Sequence, residues 1–303
     1  MDIVLGLVRN VLEEGFIYGI MAVGVYITYQ VLDFPDLSVD GTFPLGACTT
    51  ASLIAAGVNP WVACLIAFFC GAAAGCVTGL LHVKLRITDL LSGILVMTAM
   101  WSVNLVITNG SAVVQFYNKD TIFTSGPAAL LTGNFETYRV LILVAVCCIA
   151  VKLLTDLFLK TKAGLLLRAS GDNAQYVVSL GRDPGTMKIL GLAIGNGCTA
   201  LSGSVLAQQA GSANIQGTGM VVMALASVII GINLLKKARF VKATSAVVIG
   251  SILYKTCLTV AMQLGLPTNY LKLLMAALFT IALISNNLFA GRRKKQNVNP
   301  TQI

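Results

Sequence analysis

The side chains able to do chemistry in this sequence are few, and most of them interrupt long apolar runs. Lys255 lies deepest, beside Tyr254, and Asp89 opens another run. Lys152 and Asp156 stand one helical turn apart, a spacing that lets them pair. An ionisable group at such depth marks a pathway, an interface or an internal ion pair. His82 is the single histidine, so a His-Glu-x-x-His zinc site is excluded and a Ser-His-Asp triad would have to be built at the end of an apolar run. No Gly-Lys dipeptide occurs, and with it goes any phosphate-cradling Walker A loop. Cys48, Cys64, Cys70, Cys76, Cys147, Cys148, Cys198 and Cys257 all fall in apolar runs and make no Cys-x-x-Cys, so they read as small packing residues. No catalytic constellation, metal site or cofactor motif is expected.

Neutral polar residues offer a better lining for a path. Gly93, Met97, Trp101 and Asn104 share one face at helical spacing, as do Asn196, Thr199 and Gly203. An aromatic ring with amides in a mostly apolar channel suits a zwitterionic or aromatic solute better than a bare ion. Polar residues packed between helices would give the same pattern. The candidate lining is therefore Asp89, Met97, Trp101, Asn104, Asn196, Thr199 and Lys255.

The elements that must hold these residues are membrane helices. Of 303 residues 56% are hydrophobic and 11% charged, and mean hydropathy is +0.84. A soluble domain cannot hide that much apolar surface, and a disordered, fibrous or disulfide-stapled chain is excluded by the same composition. Continuous runs rich in Gly and Ala argue for helices rather than barrel strands. The expected fold is all-α and polytopic, with about nine spans at 15–32, 41–57, 60–82, 90–108, 138–157, 189–210, 219–234, 243–264 and 271–290. Residues 1–290 form one transmembrane domain with a short interfacial helix over 1–14, and 291–303 form a basic tail. The first residues lack the basic start and cleavage site of a signal peptide.

Fifteen of the 21 Lys and Arg fall in four alternate segments: 84–86, 160–188, 236–242 and 292–295. The positive-inside rule places all four in the cytoplasm, with the C-terminus, and leaves the N-terminus outside. The net charge of +9 is thus a topology signal and not a nucleic-acid footprint. The tail could also touch anionic membrane lipid. Within this frame DFPDLSVDG (33–41) breaks the chain between spans one and two, either as a capped turn or as a broken helix beside a cavity. The polar 207–219 stretch is a re-entrant or an ordinary outer loop, and 109–137 is the largest outer connection.

The most specific segment is RASGDNAQYVVSLGRDPGTMKILGLAIGNGCTALSGSVLAQQAG (168–211). Gly171 turns the chain, Asp172 or Asn173 caps a helix, Tyr176, Val177 and Leu180 share its face, and Gly181 ends it. Such a helix, shown to the cytosol, fits a groove on a soluble partner or lies on lipid. Arg168, Ala169, Gly171 and Asn173, then Gly181 and Lys188, resemble the coupling-loop region of ABC permeases importing branched-chain amino acids and ribose-type sugars. The front, 15–47, is similar to that family's first spans, with Asp36, Leu37, Ser38 and Val39 in its Asp-Leu-Ser-Val-Gly segment and Asp40 inserted before Gly41. Tyr176 and Val177 replace the family's usual alanine pair, and Arg182 its usual Ile.

The resemblance implies a non-enzymatic permease in the bacterial inner membrane, closest to an amino-acid branch that includes aromatic amino acids. It implies a second permease copy as a homodimer, two cytoplasmic ATPase subunits on the 171–181 helix, and an extracytoplasmic substrate-binding protein. An ion-gradient-driven carrier is the alternative, disfavoured by the lack of mid-span carboxylates.

Overall fold

The computed structural model describes residues 2–126, 128, 138–235 and 241–296, almost all helical. The helices are α1 (Asp2–Val25), α2 (Val39–Ala55), α3 (Pro60–Val83), α4 (Asp89–Ile107), α5 (Arg139–Phe158), α6 (Lys162–Asp172), α7 (Ala174–Ser179), α8 (Pro184–Ala210), α9 (Met220–Leu235), α10 (Ala243–Gln263) and α11 (Leu271–Gln296). Among the described residues, six stretches are long and apolar enough to cross a membrane: Leu5–Val31, Pro60–Val83, Asp89–Ile107, Arg139–Phe158, Pro184–Ala210 and Ala243–Gln263. The chain is an all-α polytopic membrane protein. The expected spans at 41–57, 219–234 and 271–290 correspond to α2, α9 and α11. At 17 and 16 residues, α2 and α9 reach about 25 Å, short of a hydrocarbon core of about 30 Å.

At the N-terminus the structure differs from the expected interfacial helix over 1–14. One unbroken α1 runs from Asp2, and a π-helical turn extends it from Tyr26 to Val31. Glu13 and Glu14 of this helix are paired within the bundle. Glu13 accepts from Gln209 at 2.9 Å and meets Arg9 at 3.4 Å, and Glu14 pairs with Lys255.

At the centre lies α8, packed chiefly on α3, α2 and α1. It starts on sequence signals: Asp183 accepts from the amides of Gly185 and Thr186, and Pro184 fills the first turn, where no amide is needed. It stops at Gly211, in the left-handed region at φ 67°. Small residues bring its neighbours close. A Cβ on Gly46 would strike the Ala200 carbonyl, and one on Gly75 the Leu192 carbonyl, so α2 and α3 touch α8 backbone to backbone.

Side-chain bonds set the register of α2 on α8: Thr42 meets Asn196 and Thr50 meets Ser204. The two helices run parallel, and α2 begins about nine residues, or 14 Å, beyond the start of α8. α2 is thus a half-helix entered from a break at mid-depth. The opposite end carries the only described sheet. β1 (Val113–Gln115) pairs antiparallel with β2 (Ser212–Asn214), tying the 109–126 connection to the segment after α8. Residues 127 and 129–137 of the expected outer connection lie outside the described residues, as do the cations Lys236, Lys237 and Arg239 and the end 297–303.

Candidate functional site

Two arrangements stand out, one buried at mid-depth and one displayed at the end where the described cations gather. The buried one is built from the chain break. Asp33 turns it with φ 54°, and the segment 33–38 then carries Asp36 and Ser38 inward to the middle of α8. Asn196 is fully buried there and uses its whole hydrogen-bonding capacity. Its Nδ2 donates to Asp36 Oδ2 at 2.7 Å and to the Leu192 carbonyl at 3.1 Å. Its Oδ1 accepts from Thr42 at 2.7 Å and from Ser38 at 3.1 Å. Asp36 Oδ1 accepts the Ser38 amide at 2.8 Å. Beside this knot Asp40 accepts from the amides of Gly219 at 3.1 Å and Val221 at 2.8 Å, capping the start of α9. Two short helices thus begin at one point inside the bundle, each held by a carboxylate from 33–41. Discontinuous helices of this kind are tolerated in membranes where protein or a cavity satisfies their ends.

The other lining candidates are dispersed around this centre. Gly93 packs on the Leu37 backbone and Met97 on Gly41, and Asn104 donates to the Gly41 carbonyl at 3.3 Å, so this face of α4 covers the break. Trp101 is 45% exposed and lies off that packed face. Asp89 sits half-buried at the first turn of α4. Thr199 donates back to Gly195 within α8. Lys255 pairs with Glu14, and its ammonium stands 5.4 Å from the centre of the Tyr18 ring. Lys152 pairs with Asp156 at 3.1 Å, as its spacing predicts.

The displayed arrangement is the α6–α7 hairpin. Thr161 caps α6 and Asn173 caps α7, accepting the Tyr176 amide at 3.2 Å. Asp172 is the last residue of α6 and leaves the capping of α7 to Asn173. Gly171 does not turn the chain. It lies within α6, where a Cβ would strike the Val31 carbonyl, so glycine there lets α6 press on the end of α1. Gly181 ends the hairpin at φ 70°. The outward face also differs from the expected one. Val177 is fully buried, while Tyr176, Val178 and Leu180 are each more than half exposed. Val178 was not recognisable in the sequence because a helix of six residues takes its orientation from what it packs on.

The same end carries His82, whose Nε2 lies 3.1 Å from Lys188 Nζ, and Lys242, 3.1 Å from Asp156. Asp183 carries a carboxyl held below the usual carboxylate range by the Gly185 amide and the Thr186 hydroxyl. This end is therefore cationic and presents three large apolar side chains on a short capped helix and its C-terminal residue, between the close contact at Gly171 and the left-handed stop at Gly181.

Residues 7–283 match the family described as branched-chain amino acid transport system / permease component. The chain belongs to this family of ABC importer permeases. It is similar to a tyrosine transport system permease protein of Clostridioides difficile, 43% identical over 94% of this chain and 93% of the relative. A ribose import permease protein of Escherichia coli is 28% identical over 92% of this chain and 84% of its own length. A fructose import permease protein of Bifidobacterium longum is 25% identical, covering 95% and 80%. No solved structure matches. The permease is thus a multi-pass transport subunit, and its family works with ATPase and substrate-binding partners.

Proposed function

We propose that this permease forms a homodimer in the bacterial inner membrane and imports an amino acid, with aromatic amino acids the first class to test. Two cytoplasmic ATPase subunits dock on the α7 helices, and an extracytoplasmic binding protein delivers the solute near the β1–β2 end. Nine membrane helices, with α2, α9 and α11 counted, put the N-terminus outside and the C-terminus inside. The observation that carries the reading is the exposed triplet Tyr176, Val178 and Leu180 on a capped helix at the cationic end. Large apolar side chains held in water are costly unless a partner covers them. The likeness to a tyrosine transport permease supports the choice of solute. Asp89, Met97, Trp101, Asn104, Asn196, Thr199 and Lys255 remain the candidates for contact with the path.

The test is uptake in proteoliposomes containing the full complex. Tyr176→Asp with Val178→Asp should lower ATP-driven uptake about tenfold or more, a docking loss of at least about 1.4 kcal/mol, while membrane insertion is unchanged. Uptake at the wild-type rate sinks the role of α7. One observation favours the alternative of an ion-gradient carrier: Asp36 is a carboxyl buried at mid-depth. Uptake that persists without ATP and collapses with the ion gradient would establish that alternative.

A further inference from the structure

We propose that the cleft where α1, α5, α6 and α10 converge binds the phosphate of an acidic phospholipid. The cleft measures about 420 Å³ and is lined by Lys160, Arg168 and Lys242, with Leu159 and Tyr26 among its apolar walls. Asp156 is the one carboxylate among its described lining residues. It is already satisfied, accepting from Thr244 at 2.6 Å and meeting Lys152 and Lys242 at 3.1 Å each. Lys160 and Arg168 are therefore left as excess positive charge, both exposed to the cleft mouth. No side chain caps α10 at Lys242, so the partial positive charge of its first amides adds to the cations. A phosphate has the charge and the acceptor oxygens to answer guanidinium, ammonium and helix amides together.

The surroundings point to a lipid as its source. On α5, Val146, Ile149, Leu153 and Leu157 repeat every three or four residues, and each is about half exposed or more. This apolar stripe leads down the helix to Lys160. An acyl chain lying along it brings its headgroup phosphate to the cleft, an arrangement found where basic pockets between membrane helices take acidic lipids. A soluble phosphate would use the cations and leave the stripe idle. Only the leaflet, cytoplasmic, rests on the orientation proposed above.

The test uses the purified full-length protein in mild detergent. Phosphatidylglycerol, phosphatidylcholine and inorganic phosphate are titrated separately, with bound lipid read by native mass spectrometry and protection by apparent Tm. Wild type should bind phosphatidylglycerol in preference to phosphatidylcholine, and Lys160→Gln with Arg168→Gln should weaken it roughly 30-fold, about a factor of five per cation. Lys160→Arg with Arg168→Lys should bind as wild type. Should the double glutamine variant fail to fold, Lys160→Gln alone, at an exposed helix end, must still bind roughly fivefold more weakly. Equal binding by wild type and the glutamine variants, or no preference between the two lipids, overturns the site. Protection by inorganic phosphate equal to that by phosphatidylglycerol overturns the lipid as its occupant. Tyr176→Asp with Val178→Asp should bind lipid normally, so a failure of the α7 reading leaves this result separate.

Discussion

Replacing Asn196 with leucine keeps the branched side-chain skeleton and removes four hydrogen bonds from the centre of the bundle. Three of them cross from α8 to the break before α2 and to α2 itself. Interhelical hydrogen bonds in membrane proteins average about 0.6 kcal/mol, which sets a floor of about 2 kcal/mol for the three. Thr42 keeps a weak alternative in the Val39 carbonyl at 3.5 Å, and Ser38 can turn toward Asp36. The Asp36 carboxyl loses its amide donor, and a buried polar group left short of a partner costs about 1–3 kcal/mol more. The expected destabilisation is about 3–5 kcal/mol, which at about 3 °C per kcal/mol for a large domain lowers Tm by roughly 9–15 °C.

A thiol-reactive dye reads this directly, because Cys48, Cys64, Cys148 and Cys198 are buried until the bundle opens. Thr199→Val is the control. Its hydroxyl serves only a carbonyl of its own helix at 3.0 Å, so its Tm should stay within about 2 °C of wild type, worth less than 1 kcal/mol. An Asn196→Leu protein that melts within the same margin would refute the knot as the pin between α8 and the break.

Lys255→Met should destabilise by about 2 kcal/mol, discounted from a fully buried pair because both partners are partly exposed, and adding Glu14→Gln should recover part of it; a melt series on the two variants decides. Gly46→Leu should abolish the folded peak in size-exclusion chromatography, because its Cβ meets the Ala200 backbone, whereas Gly6→Leu, with open space around it, should elute normally. The folded-state carboxyl of Asp183 lies low, so its contribution is complete above the ordinary aspartate range and is lost as pH falls through the depressed value. Tm measured downward from neutral pH should therefore drop less steeply in Asp183→Asn than in wild type.

Local signals in the sequence were sufficient wherever a feature depends on near neighbours. Asn173 and Gly181 mark helix boundaries that the structure confirms, because caps and left-handed stops act within four residues. Lys152 and Asp156 pair because a helical turn puts them side by side. What escaped were partnerships across the chain. Nothing near Glu14 indicates Lys255, and nothing near Asp40 indicates the start of α9, 179 residues away. Gly171 was misread for the same reason. Glycine signals a turn or a close contact equally well, and only the position of Val31 decides between them.

These long-range links give α8 a particular place in the proposed transport cycle. Its first turn follows α7 after only four residues, 180–183, so the surface assigned to the ATPase and the start of α8 are nearly one piece. Its 27 residues then run about 40 Å without a kinking proline in the interior and end at Gly211, directly before β2 and its pairing with β1. Halfway along, Asn196 holds the break that begins α2, and through Asp40 that break holds the beginning of α9. A displacement of α7 is therefore applied to a rod that runs to the β1–β2 end, contacts α2 directly and reaches α9 through Asp40. Transmission needs no chain of successive side-chain movements, only a tilt of α8 that the knot at Asn196 passes to α2. The same geometry makes Asn196→Leu informative twice. If α8 drives the break through this knot, the variant that still folds at low temperature should hydrolyse ATP with its partner subunits yet import poorly. Uptake per ATP equal to wild type in that variant would mean that the break moves without α8.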